Sequence, residues 1–302
     1  MSEHDPIVIS PKSDSDDIVL PFIIERSGIH GRLVRLGPTA NSILSRHAYP
    51  EPVKRLLGEF LSLGAALATT LKYDGIFTLQ AKGDGPVPLM VADVTSDGDV
   101  RGYAQVTGSL PSDDEIAQAP VPRLFGAGYL AFTVDQPGTE DRYQGIVELQ
   151  GQTLSDCVHH YFQQSEQFSA VMRLSAGRDS HGSWRAGSLM LRRLPDEQGA
   201  DEPDEDDWRR AVVLLGSATA GELIDAQLPA NDLLYRLFHE DGVRVFRTKP
   251  LAAGCRCSRE RTLTILRGFD SKEREELKVD GVITMTCEFC NTAYTFSDSD
   301  LA

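Results

Sequence analysis

Four of the five cysteines in this 302-residue chain fall in two tight pairs near its C-terminus, Cys255-Arg256-Cys257 and Cys287-Glu288-Phe289-Cys290. Residues 258–286 separate the pairs, which is the spacing of two knuckles closed by one ion. Four thiolates with no nearby histidine would hold zinc tetrahedrally and leave no position open for substrate, ordinarily a structural arrangement. Two details depart from a purely structural site. The first pair is C-x-C, closer than structural fingers use, and a disulfide across it would close a small, strained and easily reduced ring. Arg256, Arg259 and Arg261 also flank that pair. Cations beside sulfur favour the thiolate, the form that binds metal and that oxidants attack. The same arginines fit a solvated helix face equally well, so both readings stand at this point.

The net charge of −15 is unevenly placed. Residues 1–17 carry −4 and residues 196–207 carry eight acids and no base, which leaves only −3 for the rest. The stretch 251–302 holds seven bases and nine acids, so no basic face offers itself to phosphate backbones. The acidic start lacks the apolar core of a signal peptide, and no apolar run reaches membrane-spanning length. Cysteines that read as metal ligands fit a reducing cytoplasm better than a secreted disulfide framework. The expectation is a cytoplasmic protein that binds neither nucleic acid nor membrane.

In chain order, 1–17 reads as a disordered acidic tail. Strands are expected at 29–36, 76–81, 89–94, 100–106, 128–134, 143–150, 168–175 and 183–194, with turns at 82–85, 96–99 and 135–138. A short helix is expected over 38–45. A strong one is expected over 52–72, where Pro52 suits the first turn and Gly64-Ala65-Ala66 permits close packing. A second strong helix is expected over 153–168, and its Cys157 reads as a small buried hydrophobe. Strands with helices inserted and no regular alternation argue α+β. After the acidic tract the pattern becomes short helices with small apolar faces, Trp208/Val212/Leu215 and, behind an Asn231 cap, Leu233/Leu237/Phe238. In the last segment Ser258 caps a helix, Asp280-Gly281 turns into a hairpin, and little apolar surface is available. Metal binding would then supply much of its folding free energy, roughly 10–16 kcal/mol in comparable zinc modules. The organisation expected is a tail at 1–17, a large N-terminal α+β domain at 18–195, an acidic tract and metastable helical linker at 196–250, and a small zinc-binding domain at 251–302.

These motifs resemble the thirty-three-kilodalton heat-shock protein family of bacterial holdase chaperones. The resemblance is carried by Cys255-Arg256-Cys257-Ser258-Arg259-Glu260-Arg261, Asp280-Gly281-Val282-Ile283, Cys287-Glu288-Phe289-Cys290-Asn291, Tyr294 and Phe296. Leu233–Glu240, Val100-Arg101-Gly102-Tyr103 and Tyr143–Leu149 extend it upstream, over roughly 18–300. It implies a reduced, inactive form with one zinc on Cys255, Cys257, Cys287 and Cys290. It also implies oxidation to Cys255–Cys257 and Cys287–Cys290 disulfides with zinc release, unfolding of the linker, and capture of unfolding clients without ATP, often as a homodimer. No Gly-rich phosphate loop ending in Lys-Ser/Thr appears in the chain. The acidic tail and the tract at 196–207 depart from the family pattern.

Two other readings compete. A thiol-disulfide oxidoreductase would use Cys287 and Cys290, but a thioredoxin-like C-x-x-C lies early in a βαβ unit at a helix N-terminus. A nucleic-acid-binding zinc ribbon is disfavoured by charge.

Overall fold

The computed structural model of the chain describes residues 16–136, 138, 143–165, 169–193 and 205–301. Most of the acidic tail and of the 196–207 tract lies outside the described residues, as do Pro137 of the expected turn and Phe168. Two compact units divide the chain, Met1–Ala253 and Gly254–Ala302.

The first unit opens with β1 (Ile18–Ile24), β2 (Ile29–Leu36), α1 (Pro38–Leu44) and α2 (Glu51–Ala68). Next come β3 (Ile76–Gly83), β4 (Leu89–Thr95), β5 (Asp99–Gln105), α3 (Asp113–Gln118), α4 (Pro120–Phe125), β6 (Gly128–Asp135) and β7 (Tyr143–Glu148). Then α5 (Leu154–Ser165), β8 (Ala170–Arg178) and β9 (Trp184–Arg192) lead to three short helices, α6 (Glu205–Gly216), α7 (Ala220–Ile224) and α8 (Ala230–Phe238). The unit ends in β10 (Val243–Val245), β11 (Lys249–Pro250) and β12 (Ala252–Ala253). The class is α+β, as the order of elements had suggested.

Two sheets form. The first runs β10-β1-β2-β9-β8, with β11 also on β1; the second runs β12-β5-β4-β3-β6-β7. Pairing is antiparallel except between β12 and β5. Helix α2 packs against strands of both sheets, and this explains its composition: a helix buried on several sides carries apolar and small residues all round. Its closest approach is at Gly58, where a Cβ would lie 2.7 Å from the Ala176 Cβ; at Gly64 the nearest atom, the Ala92 Cβ, would be 3.4 Å away. The helix stops at Ala68, short of the expected Lys72. The hydroxyls of Thr69 and Thr70 donate to the carbonyls of Ala65 and Leu67 at 3.1 and 2.7 Å, closing the last turn, and Leu71 is exposed.

The outer face of the first sheet is apolar by strict alternation. Ile18, Leu20, Phe22 and Ile24 lie on it, whereas Val19 joins the core around α2. Leu33, Leu189 and Leu191 belong to the same outer cluster, and α6, α7 and α8 cover it. The face of α6 is Trp208, Ala211 and Leu215, with Val212 only half-buried. Helix α8 begins before Asn231: its N-cap is Pro229, whose carbonyl accepts from the Asp232 and Leu233 N–H groups. Phe238 is fully buried and stacks on Phe22, ring centroids 5.7 Å apart.

Order begins before Ile18. The Asp17 carboxylate accepts from the backbone N–H groups of Gly37 (2.9 Å) and Thr39 (3.0 Å), supplying the cap that Gly37 cannot offer α1. Helices α3 and α4 lie where no element was expected. Ser112 and Glu115 form a capping box that starts α3.

Candidate metal centre

The second unit contains α9 (Arg259–Arg267), α10 (Ser271–Glu276), the hairpin β13 (Ile283–Thr286) with β14 (Ala293–Phe296), and α11 (Asp298–Leu301). Its buried core is Leu266, Ile283 and Phe296, too small to hold some fifty residues by burial alone. Asp280 and Gly281 both have positive φ, 50° and 80°, and the turn they make is closed by reciprocal bonds between Val279 and Val282.

The hairpin positions one cysteine pair. The Cys287 N–H donates to the Thr292 carbonyl at 3.0 Å, and the Asn291 N–H donates to the Cys287 carbonyl at 2.8 Å. Asn291 takes the left-handed conformation, φ 57°, that this knuckle needs and that Asn tolerates. The other pair precedes α9, where the Ser258 hydroxyl accepts from the Arg261 N–H at 3.2 Å, the cap expected from the sequence.

All four sulfurs lie within 4.8 Å of one another. Cys255 is 3.4 Å from Cys257 and 3.7 Å from Cys287, and Cys257 is 3.3 Å from Cys290. With metal–sulfur bonds of about 2.3 Å, the sulfurs of a tetrahedral zinc site stand about 3.8 Å apart. The four thiols therefore form a donor set that could hold one metal ion, and soft sulfur donors select ions of the zinc type. No helix N-terminus serves Cys287 and Cys290, which sit in the β13–β14 turn; this removes the support a thioredoxin-like reading needs.

Hydrogen bonds differentiate the sulfurs. Burial pushes the Cys257 thiol up to about 12, against a hydrogen bond with the Tyr294 hydroxyl, 3.2 Å away. Burial also raises Cys287. At Cys290 burial is outweighed by hydrogen bonds with Thr292 and by neighbouring thiols, which bring it down to about 6. One member of the cluster thus ionises readily, and a bound cation would supply what the others need to follow. The roles of Tyr294 and Thr292 at sulfur have no counterpart in the sequence analysis, where Tyr294 is only one of the residues that carry the resemblance.

Of the two readings left open for the arginines beside the first pair, the exposed helix face fits Arg259 and Arg261. Arg259 donates to the Thr295 carbonyl (2.6 Å), pairs with Asp300 (2.9 Å) and lies 4.5 Å over the Phe296 ring. Arg261 donates to the Arg256 carbonyl at 2.7 Å. Both fasten backbone and core. In the first unit Cys157 is fully buried on α5 and burial pushes its thiol up to about 12, as expected of a small buried hydrophobe.

The family model described as Hsp33 protein matches residues 17–297. A 33 kDa chaperonin of Caulobacter vibrioides is 39 % identical over 285 residues, covering 92 % of this chain and 94 % of that one. Those of Pseudomonas fluorescens (strain SBW25) and Cronobacter sakazakii are each 38 % identical, covering 95 % and 93 % of this chain and 92 % of their own length. Among solved structures, the 33 kDa chaperonin (heat shock protein 33 homolog) from Thermotoga maritima shares the fold at TM-score 0.80 and 24 % identity, with 95 % of this chain and 97 % of that one aligned. Matched by the family model over nearly all its described length and by relatives named chaperonins rather than enzymes, the chain belongs to the Hsp33 family of chaperones.

Proposed function

We propose that this chaperone is a redox-regulated, ATP-independent holdase. In the reduced form Cys255, Cys257, Cys287 and Cys290 hold one Zn2+, and the acidic tract and helices over 196–250 act as a metastable linker. When bound, zinc keeps all four sulfurs as thiolates and ties the second unit together. Oxidation by a hydroperoxide or hypochlorous acid forms the two disulfides that the family resemblance implies, Cys255–Cys257 and Cys287–Cys290. In each pair one thiolate attacks the peroxide oxygen and releases hydroxide, leaving a sulfenic acid; its neighbour then attacks that sulfur and the second hydroxide leaves. With its ligands oxidised the ion departs, and a unit with so small a buried core loses its fold. The helices that precede it in the chain then leave the first sheet, and the uncovered surface binds unfolding proteins in the cytoplasm, with a homodimer as the active form. Nucleic acid and membrane are not partners; no helix among the described residues is long and apolar enough to cross a membrane.

The observation that carries this reading is the covered sheet. Ile18, Leu20, Phe22, Ile24, Leu33, Leu189 and Leu191 form an apolar face that, among the described residues, short helices close, a surface suited to clients once bared. Light scattering of a heat-unfolding client tests it, with reduced and oxidised protein side by side and released zinc measured by a chelating dye. Suppression of aggregation by the oxidised form alone, with one zinc released per chain, is expected. Equal activity in both forms would overturn the redox control, and insulin reduction by the reduced form would favour an oxidoreductase.

A further inference from the structure

Two guanidinium groups are buried in the outer face of the first sheet. Arg35 on β2 is 4 % exposed and Arg185 on β9 is 5 % exposed. Their acceptors are mostly backbone oxygens at the end of α7 and in the turn after it. Arg35 donates through Nη1 to the Asp225 carbonyl (2.8 Å) and to the Leu228 carbonyl, and through Nη2 to the Glu222 carbonyl (2.9 Å). Arg185 donates through Nε to the Ile224 carbonyl (2.6 Å), while its terminal nitrogens grip the Asp16 carboxylate. Those of Glu222 and Ile224 are among the carbonyls a helix leaves without partners where it stops, and those of Asp225 and Leu228 follow in the turn. The end of a helix also carries a partial negative charge, complementary to two cations of which Asp16 neutralises one.

The backbone around the arginines is shaped for the same guest. A Cβ on Gly187 would lie 2.5 Å from the Leu223 carbonyl oxygen, so β9 leaves a niche where the turn comes in. Leu223 is fully buried in the cluster that contains Leu33 and Leu189. Burial and the nearby Arg185 lower the Arg35 guanidinium from its ordinary value, the mark of a cation that needs its acceptors. What is recognised is a helix terminus, held by two guanidinium forks and by the apolar anchor Leu223 that its sequence supplies.

We propose that Arg35 and Arg185 form a binding site for the carbonyl end of a helix. The end of α7 fills it in the closed form, and the C-terminal turn of a client helix fills it once residues 205–246 have left. This rests on the opening described under Proposed function and adds the chemistry of what is bound. The basic pair is thus both the catch that holds the cover and a contact for clients that retain helical segments.

The test uses the full-length protein and a fluorescein-labelled peptide with the sequence of residues 217–229, a scrambled peptide serving as control. Anisotropy is expected to show binding to the oxidised protein, none to the reduced protein, and none of the scrambled sequence. Arg35→Gln and Arg185→Gln are each expected to weaken binding at least about tenfold, the loss of charged hydrogen bonds. Arg35→Lys, which keeps the charge and loses the fork, is expected to weaken it as well. Equal affinity for wild type and variants, or for both peptides, overturns the site. Where a Gln variant fails to fold, a benzophenone at the Ile224 position of the peptide gives the answer on wild type: crosslinks on β2 and β9 support the site, and crosslinks elsewhere overturn it. Hydrogen exchange separates the two levels. If 205–246 stays protected after oxidation, the opening itself fails; if it exchanges freely and the peptide ignores the arginines, only the carbonyl site fails.

Discussion

Phe238→Ala should turn the chaperone on without oxidant. Phe238 is fully buried on α8 and stacks on Phe22, ring centroids 5.7 Å apart and planes 26° apart. Truncating a ring so packed costs about 3–5 kcal/mol, with the aromatic pair responsible for about 0.5–1.5 kcal/mol of that. The loss falls on the docking of the helical segment, because α2 and its core lie on the other face of the first sheet. A change of about 4 kcal/mol moves the closed-to-open ratio by roughly a thousandfold. A closed form favoured by a few kcal/mol is then no longer the dominant one. The assay is amide hydrogen exchange over 208–246, with client light scattering, on reduced protein shown to retain its zinc. Rapid exchange and suppression of aggregation are expected. Val213→Ala on the exposed side of α6, where Val213 is 71 % exposed, should change neither. If Phe238→Ala lowers the melting temperature while 208–246 stays protected and activity still requires oxidant, the helical segment is not the element that gates the surface.

Cys287→Ser should abolish stoichiometric high-affinity zinc binding, read by metal analysis of the purified reduced protein; full retention would exclude a four-thiolate site. Peptide mapping after oxidation should find Cys255–Cys257 and Cys287–Cys290 with Cys157 reduced, and a dominant bridge between the pairs would contradict the assignment. Tyr294→Phe keeps the ring and removes the hydroxyl 3.2 Å from the Cys257 sulfur. Freed of a hydrogen bond worth about 1 kcal/mol, the thiolate should react faster, so peroxide-driven zinc release should accelerate about fivefold; an unchanged rate would remove Tyr294 from the chemistry.

The cysteine cluster was legible because metal ligation depends on residue type and spacing, both present in the linear sequence. The sheets were legible for a related reason: β2 and β4 alternate or run apolar between Gly, Asp and Pro turns, and period is a local property. Helices α3 and α4 were missed although Ser112-Asp113-Asp114-Glu115 spells a capping box, because Pro111, Pro120 and Pro122 crowd the stretch and suggest a loop. The expected face of α8, Leu233, Leu237 and Phe238, is buried, and the differences in the face of α6 and the start of α8 have another cause. Ala211 is buried beside a half-buried Val212, and Pro229 caps the helix in place of Asn231, because docking on the sheet, a tertiary contact, sets the rotation and start of each helix. The roles of Arg35, Arg185 and Asp16 had no local signal at all. Their bonds join residues up to 193 positions apart.

The arrangement of the first sheet has a consequence for how the chain is made. Strands β1, β2, β8 and β9 are all available once residue 192 has left the ribosome, but the segment that covers their outer face ends near Val245. At about 5–20 residues per second the ribosome needs roughly 3–10 s to add the rest. During that interval Ile18, Leu20, Phe22 and Ile24 lack the cover of α6, α7 and α8. A nascent copy therefore presents, for seconds and in every round of synthesis, the surface that the finished protein keeps closed. Crowded polysomes would bring such surfaces together, so translation speed across codons 193–245 should govern how much newly made protein stays monomeric.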